Sequence, residues 1–233
     1  MNLKNAKVLV TGGSKGIGKA TAKMLAEAGA KVVITARHEQ PLNEAAKEIG
    51  AYPIVMDMAI QEDIDRSFDE AVSHLGGLDI LINNAGIGGR ANLQELKRED
   101  FDRVHTVNVV GAAMMAKRAA ILFMEQNYGN IVNIASTAAT KGYEGGTIYS
   151  SSKWALKGMT ECWRAELRKY NVRVFLINPS EVTTAFGSSS GQEREPQPNK
   201  LRGEEIASAI RSVLEMDDRG FVPELSVWAT NPW

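Results

Sequence analysis

Tyr149 and Lys153 stand four residues apart in YSSSK, at the start of a stretch with helical character. On a helix that spacing puts both on one face, with side chains able to meet near one point. Such a pair suits acid–base chemistry at a carbonyl or alcohol oxygen. Free tyrosine has a pKa near about 10; an adjacent ammonium favours the phenolate and lowers that value by about 1 to 3 units, so that the hydroxyl can exchange protons. The spacing is unspecific by itself, and context has to carry it. Ser136 closes the apolar run NIVNIAS, at the carboxyl edge where parallel sheets bind ligands, and its hydroxyl is suited to hydrogen-bonding a substrate oxygen.

A second feature is the glycine-rich run LVTGGSKGIGKAT, residues 9–21. A phosphate loop of the nucleoside-triphosphatase kind needs a Ser or Thr after its Gly-Lys, to hold magnesium. Here that position is Ala20, which has no oxygen to give. Counted from Thr11, the run reads T-G-x-x-x-G-x-G, with Gly12, Gly16 and Gly18 at a strand-to-helix turn. This pattern fits a pyrophosphate at a helix N-terminus, where glycines allow the tight turn and the helix dipole attracts the anion. In dinucleotide-binding folds an acidic residue about twenty positions on binds the adenosine ribose, whereas an Arg accommodates a 2′-phosphate. The run KVVIT leads instead into Ala36 and Arg37, and Lys15 adds a second cation inside the turn. The two charges favour NADP(H) over NAD(H).

The elements that must position these groups alternate along the chain. Strand-length apolar runs occur at 8–11, 31–35, 52–56, 78–83, 130–135 and 172–178, mostly continuous rather than alternating, as in strands buried on both faces. Helical segments lie between them, including a long one over Arg98–Gln126 and another over 149–169. The alternation predicts an α/β fold, a Rossmann-like doubly wound parallel sheet of about seven strands with helices on both faces. Neither a domain linker nor an internal repeat is apparent, so residues 1–233 read as a single domain. Residues 185–200, AFGSSSGQEREPQPNK, read as a mobile loop, either a lid over a ligand or plain disorder. A helix and a last strand, in FVPELSVW, follow it.

Composition narrows the partners. With 233 residues and 44% hydrophobic content the chain can bury a core without disulfides. Its 27 basic and 28 acidic residues offer no basic field for nucleic acid and no polybasic membrane patch. The lone Cys162 suits a reducing compartment and reads as an inert packing residue, and MNLKNAKVLV lacks the apolar core of a signal peptide, so a cytoplasmic location is expected. His38, His74 and His105 match no ligand spacing, and no metal site is expected.

The ordered set TGGSKGIG (11–18), NNAG (83–86), Asn108, Ser136, YSSSK (149–153) and NPS (178–180) resembles the classical short-chain dehydrogenase/reductase family, over essentially the whole chain. The resemblance implies that Tyr149 is the proton donor to a carbonyl being reduced, or the base toward an alcohol being oxidised. Lys153 would then bind the nicotinamide ribose and depress the tyrosine pKa. Ser136 would orient and polarise the substrate oxygen, and Asn108 would hold a water linking Lys153 to solvent. On the cofactor side it implies Gly12, Ser14, Lys15, Gly16, Ile17 and Gly18 at the pyrophosphate, with Arg37 at the adenosine end. Asn84, Ala85 and Gly86 would line the adenosine side, and Asp57 with Met58 would contact the adenine. Beyond the sixth strand, Pro179 would lie beside the nicotinamide, Val182 would bind the carboxamide by its backbone, and Thr184 would reach a phosphate.

Two departures stand out. Pro179-Ser180 replaces the family's usual Pro-Gly, so the backbone there must avoid a conformation only glycine tolerates. The ending FVPELSVWATNPW also lacks the Asp-Gly-Gly tail typical of the family's acyl-carrier-protein reductases, and resembles its small carbonyl and hydroxy-acid dehydrogenases. The expected activity is NADP(H)-dependent reduction of a small-molecule ketone, or the reverse. A 3-oxoacyl-[acyl-carrier-protein] reductase is the alternative, and a catalytically silent dinucleotide-binding regulator is an alternative of another class. The family commonly pairs its long helices, so a homodimer or homotetramer is expected. Trp154, Trp163, Trp228 and Trp233 are open to core or interface roles.

Overall fold

The computed structural model describes residues 1–184, 186, 195 and 197–231. Most of the expected loop at 185–200, and Trp233, lie outside the described residues. The strands are β1 (Lys7–Thr11), β2 (Lys31–Ala36), β3 (Tyr52–Val55), β4 (Ile80–Asn83), β5 (Gly129–Ile134), β6 (Val172–Pro179) and β7 (Glu224–Val227). They form one parallel sheet in the order β3-β2-β1-β4-β5-β6-β7. The order reverses between β1 and β4, which fixes the crevice at their carboxyl ends as the place for a ligand.

Helices α1 (Gly16–Glu27), α2 (Glu39–Ile49) and α7 (Gly203–Leu214) cover one face. There Leu25, Leu42, Ile206 and Ile210 pack on Val8, Val10, Ile34, Ile82 and Phe175. On the other face lie α3 (Gln61–Leu75), α5 (Ala112–Gln126) and α6 (Thr147–Leu167), where Phe68, Met115, Ala119 and Phe123 pack on Leu9, Val33, Leu81 and Ile131. Neighbours such as Val8 and Leu9 point to opposite faces and both are fully buried. That explains why the strands read as unbroken apolar runs.

The stretch Arg98–Gln126 is long and apolar enough by composition to cross a membrane. Its apolar side is spent inside the fold: Val104, Val107, Met115, Ala116, Ala119 and Phe123 are buried. It is a core helix in three parts, α4 (Arg98–His105), a wide π-helical turn (Thr106–Gly111) and α5. At Gly111 a Cβ would come within 2.3 Å of the Met58 carbonyl oxygen, so the turn lies directly on the segment after β3. Cys162 corrects an expectation. It is exposed on α6 rather than packed, because the helix turns its apolar stripe, with Leu156 and Leu167, toward the sheet.

Candidate active site

The turn after β1 is shaped by missing side chains. Gly12 (φ +67°) and Gly16 (φ +56°) hold left-handed conformations, and a Cβ on Gly18 would lie 2.3 Å from the Gly12 carbonyl oxygen and 2.4 Å from Asn84 Nδ2. Asn84 closes the turn from β4, donating from Nδ2 to the carbonyls of Thr11 (2.9 Å) and Gly12 (3.1 Å). The Thr11 hydroxyl in turn accepts from the amides of Asn84 and Ala85, both at 3.0 Å. Asn84 and Ala85, expected along the adenosine side, therefore also build the glycine turn. Lys15 is the N-cap of α1 and makes no capping hydrogen bond from its own side chain, and the first turn carries no acidic residue. Ser14 and Ile17 are half-buried in the same turn, Ile17 against the core.

The second cation sits nearby in topology. Thr11 and Thr35 are register partners, and Gly13 donates to the Thr35 carbonyl at 3.0 Å. Arg37, exposed two residues past Thr35, thus leaves the same sheet edge as Lys15. Asp57 follows β3 half-buried, its carboxylate accepting from the Ala59 amide at 2.9 Å. Met58 is buried in the core with its carbonyl on Gly111, so it offers a ligand backbone rather than side chain. Thr184 is buried against the turn from the opposite side, where a Cβ on Gly16 would meet its methyl at 3.2 Å. Val182 reaches this position through a single bridge to Leu201. Ser180 solves the missing-glycine problem as expected: its φ is not positive, and its amide donates to Val227 at 2.9 Å. Pro179 is the buried last residue of β6.

The residues with chemical potential meet after β5. Ser136 opens a short 3₁₀ turn, Thr137–Ala139, and its hydroxyl accepts from the Ala138 amide at 3.1 Å. Two bonds from α6 sew the helix to this end of the strand: Ser150 Oγ to the Ala138 carbonyl at 2.5 Å, and Lys153 Nζ to the Ile134 carbonyl at 2.8 Å. Tyr149 stands one residue before the first of these anchors on the same helix, where the Ser136 hydroxyl acts on its phenol. Asn108 comes from the π-helical turn, 1% exposed. Its Oδ1 accepts from the Ile87 amide at 2.8 Å, while Nδ2 donates to the Ile87 carbonyl at 2.9 Å and to Ser152 at 3.1 Å. The loop between passes close over both: a Cβ on Gly86 would lie 3.2 Å from Asn108 Oδ1 and 3.6 Å from Lys153 Nζ.

Burial sets the electrostatics. It pushes the Lys153 ammonium down from 10.5 to about 8, because the charged form is kept from water. The Tyr149 hydroxyl is pushed up, chiefly by burial, against the opposing effect of the Ser136 bond. Burial outweighs the lowering expected of Lys153. The ammonium is 5.7 Å from the ring centroid and donates to Ile134, so desolvation of the phenolate wins. Tyr149 is accordingly a protonated donor, the form that gives a proton to a carbonyl.

Several participants carried no readable signal. Ser150 and Ser152 sit inside YSSSK, but their spacing did not distinguish them from filler. Phe186 lies with its ring 5.3 Å from that of Tyr149, beyond the reach of any local pattern.

Residues 6–195 match the family model described as short chain dehydrogenase. Carbonyl reductase family member 4 of Xenopus laevis is 35% identical over 214 residues, covering 88% of this chain and 89% of the relative. The chain belongs to the short-chain dehydrogenase/reductase family. As a short-chain dehydrogenase/reductase it is an oxidoreductase, and solved members resemble it from end to end. The 3-ketoacyl-(acyl-carrier-protein) reductase of Brucella melitensis, complexed with NADH, is 28% identical with a TM-score of 0.90, covering 99% of this chain and all of that one. An alcohol dehydrogenase of the archaeon Thermococcus sibiricus, complexed with 5-hydroxy-NADP, is 27% identical with a TM-score of 0.86, over 96% of each chain. The glycine turn, with its two left-handed glycines and the cradle a Cβ at Gly18 would fill, fits the pyrophosphate of such a dinucleotide.

Proposed function

We propose that this short-chain dehydrogenase/reductase is an NADP(H)-dependent ketone reductase, working as one cytoplasmic catalytic domain. The observation that carries the reading is the joining of α6 to the end of β5, through Ser150 to Ala138 and Lys153 to Ile134, which gathers Ser136, Tyr149 and the buried Lys153 at one edge of the sheet. When bound, the reduced nicotinamide supplies a hydride to the carbonyl carbon. Ser136 donates to the carbonyl oxygen and orients it, and Tyr149 delivers the proton from its hydroxyl as negative charge develops there. Lys153, one helical turn on, stabilises the tyrosinate left behind and binds the ribose. Asn108 spends its side chain bracing Ile87 and Ser152, so its part in a proton relay falls to its backbone or the second lone pair of Oδ1.

The glycine turn, from Gly12 through Ser14, Lys15, Gly16 and Ile17 to Gly18, holds the pyrophosphate, and Thr184 closes on it. Asp57 and Met58 flank the adenine, Asn84, Ala85 and Gly86 back the adenosine side, and Pro179 and Val182 flank the nicotinamide. Arg37 and Lys15 together bind a 2′-phosphate. Replacing both with Gln is expected to weaken NADPH by about 10- to 100-fold with little change for NADH; equal losses for both contradict the NADP(H) assignment.

A second reading, reduction of a 3-oxoacyl thioester, is favoured by the likeness to the Brucella melitensis enzyme. Consumption of NADPH, with NADH as control, across a ketone panel containing one such thioester tests both. A general ketone preference supports the first reading and a strong thioester preference the second. Silence across the panel, with NADPH bound, leaves either a substrate outside the panel or the non-catalytic regulator.

The complete Ser-Tyr-Lys set argues against that last outcome. We also infer a homo-oligomer that buries the groove between α5 and α6, a cavity of about 400 Å³ lined by Ala116, Ala120, Ile121, Met124 and Trp163. A monomeric mass by light scattering contradicts this.

A further inference from the structure

Three aromatic rings and one cation gather where the loop after β4 meets the start of α6. Gly89 passes between α4 and α6 so closely that a Cβ there would lie 3.0 Å from both Val104 Cγ2 and Ile148 Cγ2. The next residue, Arg90, is exposed and lays its side chain over Gly145, with Cγ and Nε 3.0 Å from where a Cβ would stand. Gly145 is left-handed (φ +71°), so only glycine leaves both the space and the turn that Arg90 uses. A backbone bond from the Ala91 amide to the Gly145 carbonyl, 3.1 Å, fixes the two segments together. Tyr143 lies on Gly146 in the same way, its ring atoms 2.8 Å from a Cβ placed there.

This platform ends at the catalytic centre. Gly145 lies one residue before the N-cap of α6, and Tyr149 is in the first turn of that helix. Tyr143 feels the charge of Arg90, and its own phenol is close enough to act on Tyr149. Phe186 flanks Tyr149 from the opposite segment, beyond β6. Among the described residues no carboxylate pairs with Arg90, although ion pairs engage many other arginines.

We propose that Arg90 recognises a carboxylate on the substrate, and that the substrates are oxo acids whose hydrocarbon body lies between Tyr143 and Phe186. A guanidinium presents two parallel donors that match a planar carboxylate, and the rings supply an apolar wall for the carbon chain. This rests on the reductase reading and deepens it, because it assigns the substrate class to a residue outside the Ser-Tyr-Lys set. Lys141 and Glu144, on the same loop, are exposed, and Glu144 forms no ion pair with Arg90.

The test compares 2-, 3- and 4-oxo acids with their methyl esters, and dihydroxyacetone phosphate with dihydroxyacetone, using NADPH. The readout is the ratio of kcat/KM for acid to that for ester, in which any general loss of folding or cofactor binding cancels. At least one acid is expected to exceed its ester by about tenfold or more. Arg90→Gln is expected to bring that ratio close to one, and Arg90→Lys to restore part of it. Turnover of neutral ketones with no acid preference in any pair, a preference that survives in Arg90→Gln, or a preference confined to the phosphate ester overturns the assignment of Arg90. Failure to reduce any carbonyl compound while NADPH is bound overturns the reductase reading, and this inference falls with it.

Discussion

The glycine turn after β1 and the serine–tyrosine–lysine cluster after β5 occupy the same edge of the sheet but are built from opposite materials. The first works by absence: left-handed glycines and a space that any Cβ at Gly18 would fill. The second works by presence, through side chains whose hydroxyl and ammonium groups acquire their properties from burial. Bulk therefore breaks the turn, whereas the cluster responds to the loss of one proton or one charge. The difference also separates stability from function. The turn folds at little cost, but the cluster keeps an ammonium out of water, which is unfavourable for folding and is retained for chemistry.

Gly18→Val gives the largest expected effect. The added carbons collide with the Gly12 carbonyl and with Asn84, at a cost of about 1–3 kcal/mol of stability or more. The turn must open to relieve this, so NADPH affinity falls by more than about tenfold, readable by fluorescence titration and thermal melting. Normal affinity in a stable Gly18→Val protein removes the steric account of the turn.

Lys153→Met separates the two regions more sharply, because activity and stability should move in opposite directions. Turnover falls by about 10²-fold or more, while the fold gains roughly 1–3 kcal/mol from losing a buried charge. The sign follows from the lowered pKa. Below about pH 8 both folded and unfolded chains hold the proton and the penalty is complete; between 8 and 10.5 the unfolded state binds more protons, so wild-type stability rises with pH. Denaturant midpoints of wild type and variant are expected to converge over that interval. Parallel midpoints contradict the buried-ammonium assignment.

Ser150→Ala should act least. It removes the donor to the Ala138 carbonyl and loosens the seam that holds Tyr149 beside Ser136, for about 1 kcal/mol of stability and a severalfold loss in kcat. An unchanged kcat in the presence of the stability loss shows that α6 is positioned by its core packing alone.

The same contrast explains what the sequence disclosed. Glycine spacing, unbroken apolar strands and the order of the elements follow from local sterics and burial on both faces, so the turn, the sheet and the helix carrying Tyr149 and Lys153 were readable. The sign of the Tyr149 shift was not, because spacing reports that Lys153 is near but not that Ile134 takes its hydrogen bond and that water is excluded. Cys162 erred for a related reason: helical character was legible, but which side of α6 faces the sheet depends on partners distant in sequence. The π-helical turn that presents Asn108, the Arg90–Gly145 contact and the approach of Phe186 to Tyr149 are tertiary facts without a local pattern.

The most direct test of the central claim is single-turnover oxidation of NADPH by Tyr149→Phe, with NADPH affinity measured on the same sample. The phenyl ring keeps the shape and removes only the hydroxyl that lies beside Ser136. A rate lower by about 10²- to 10⁴-fold with cofactor affinity retained is the expected result. A rate equal to that of wild type shows that the proton comes from elsewhere and contradicts the assignment.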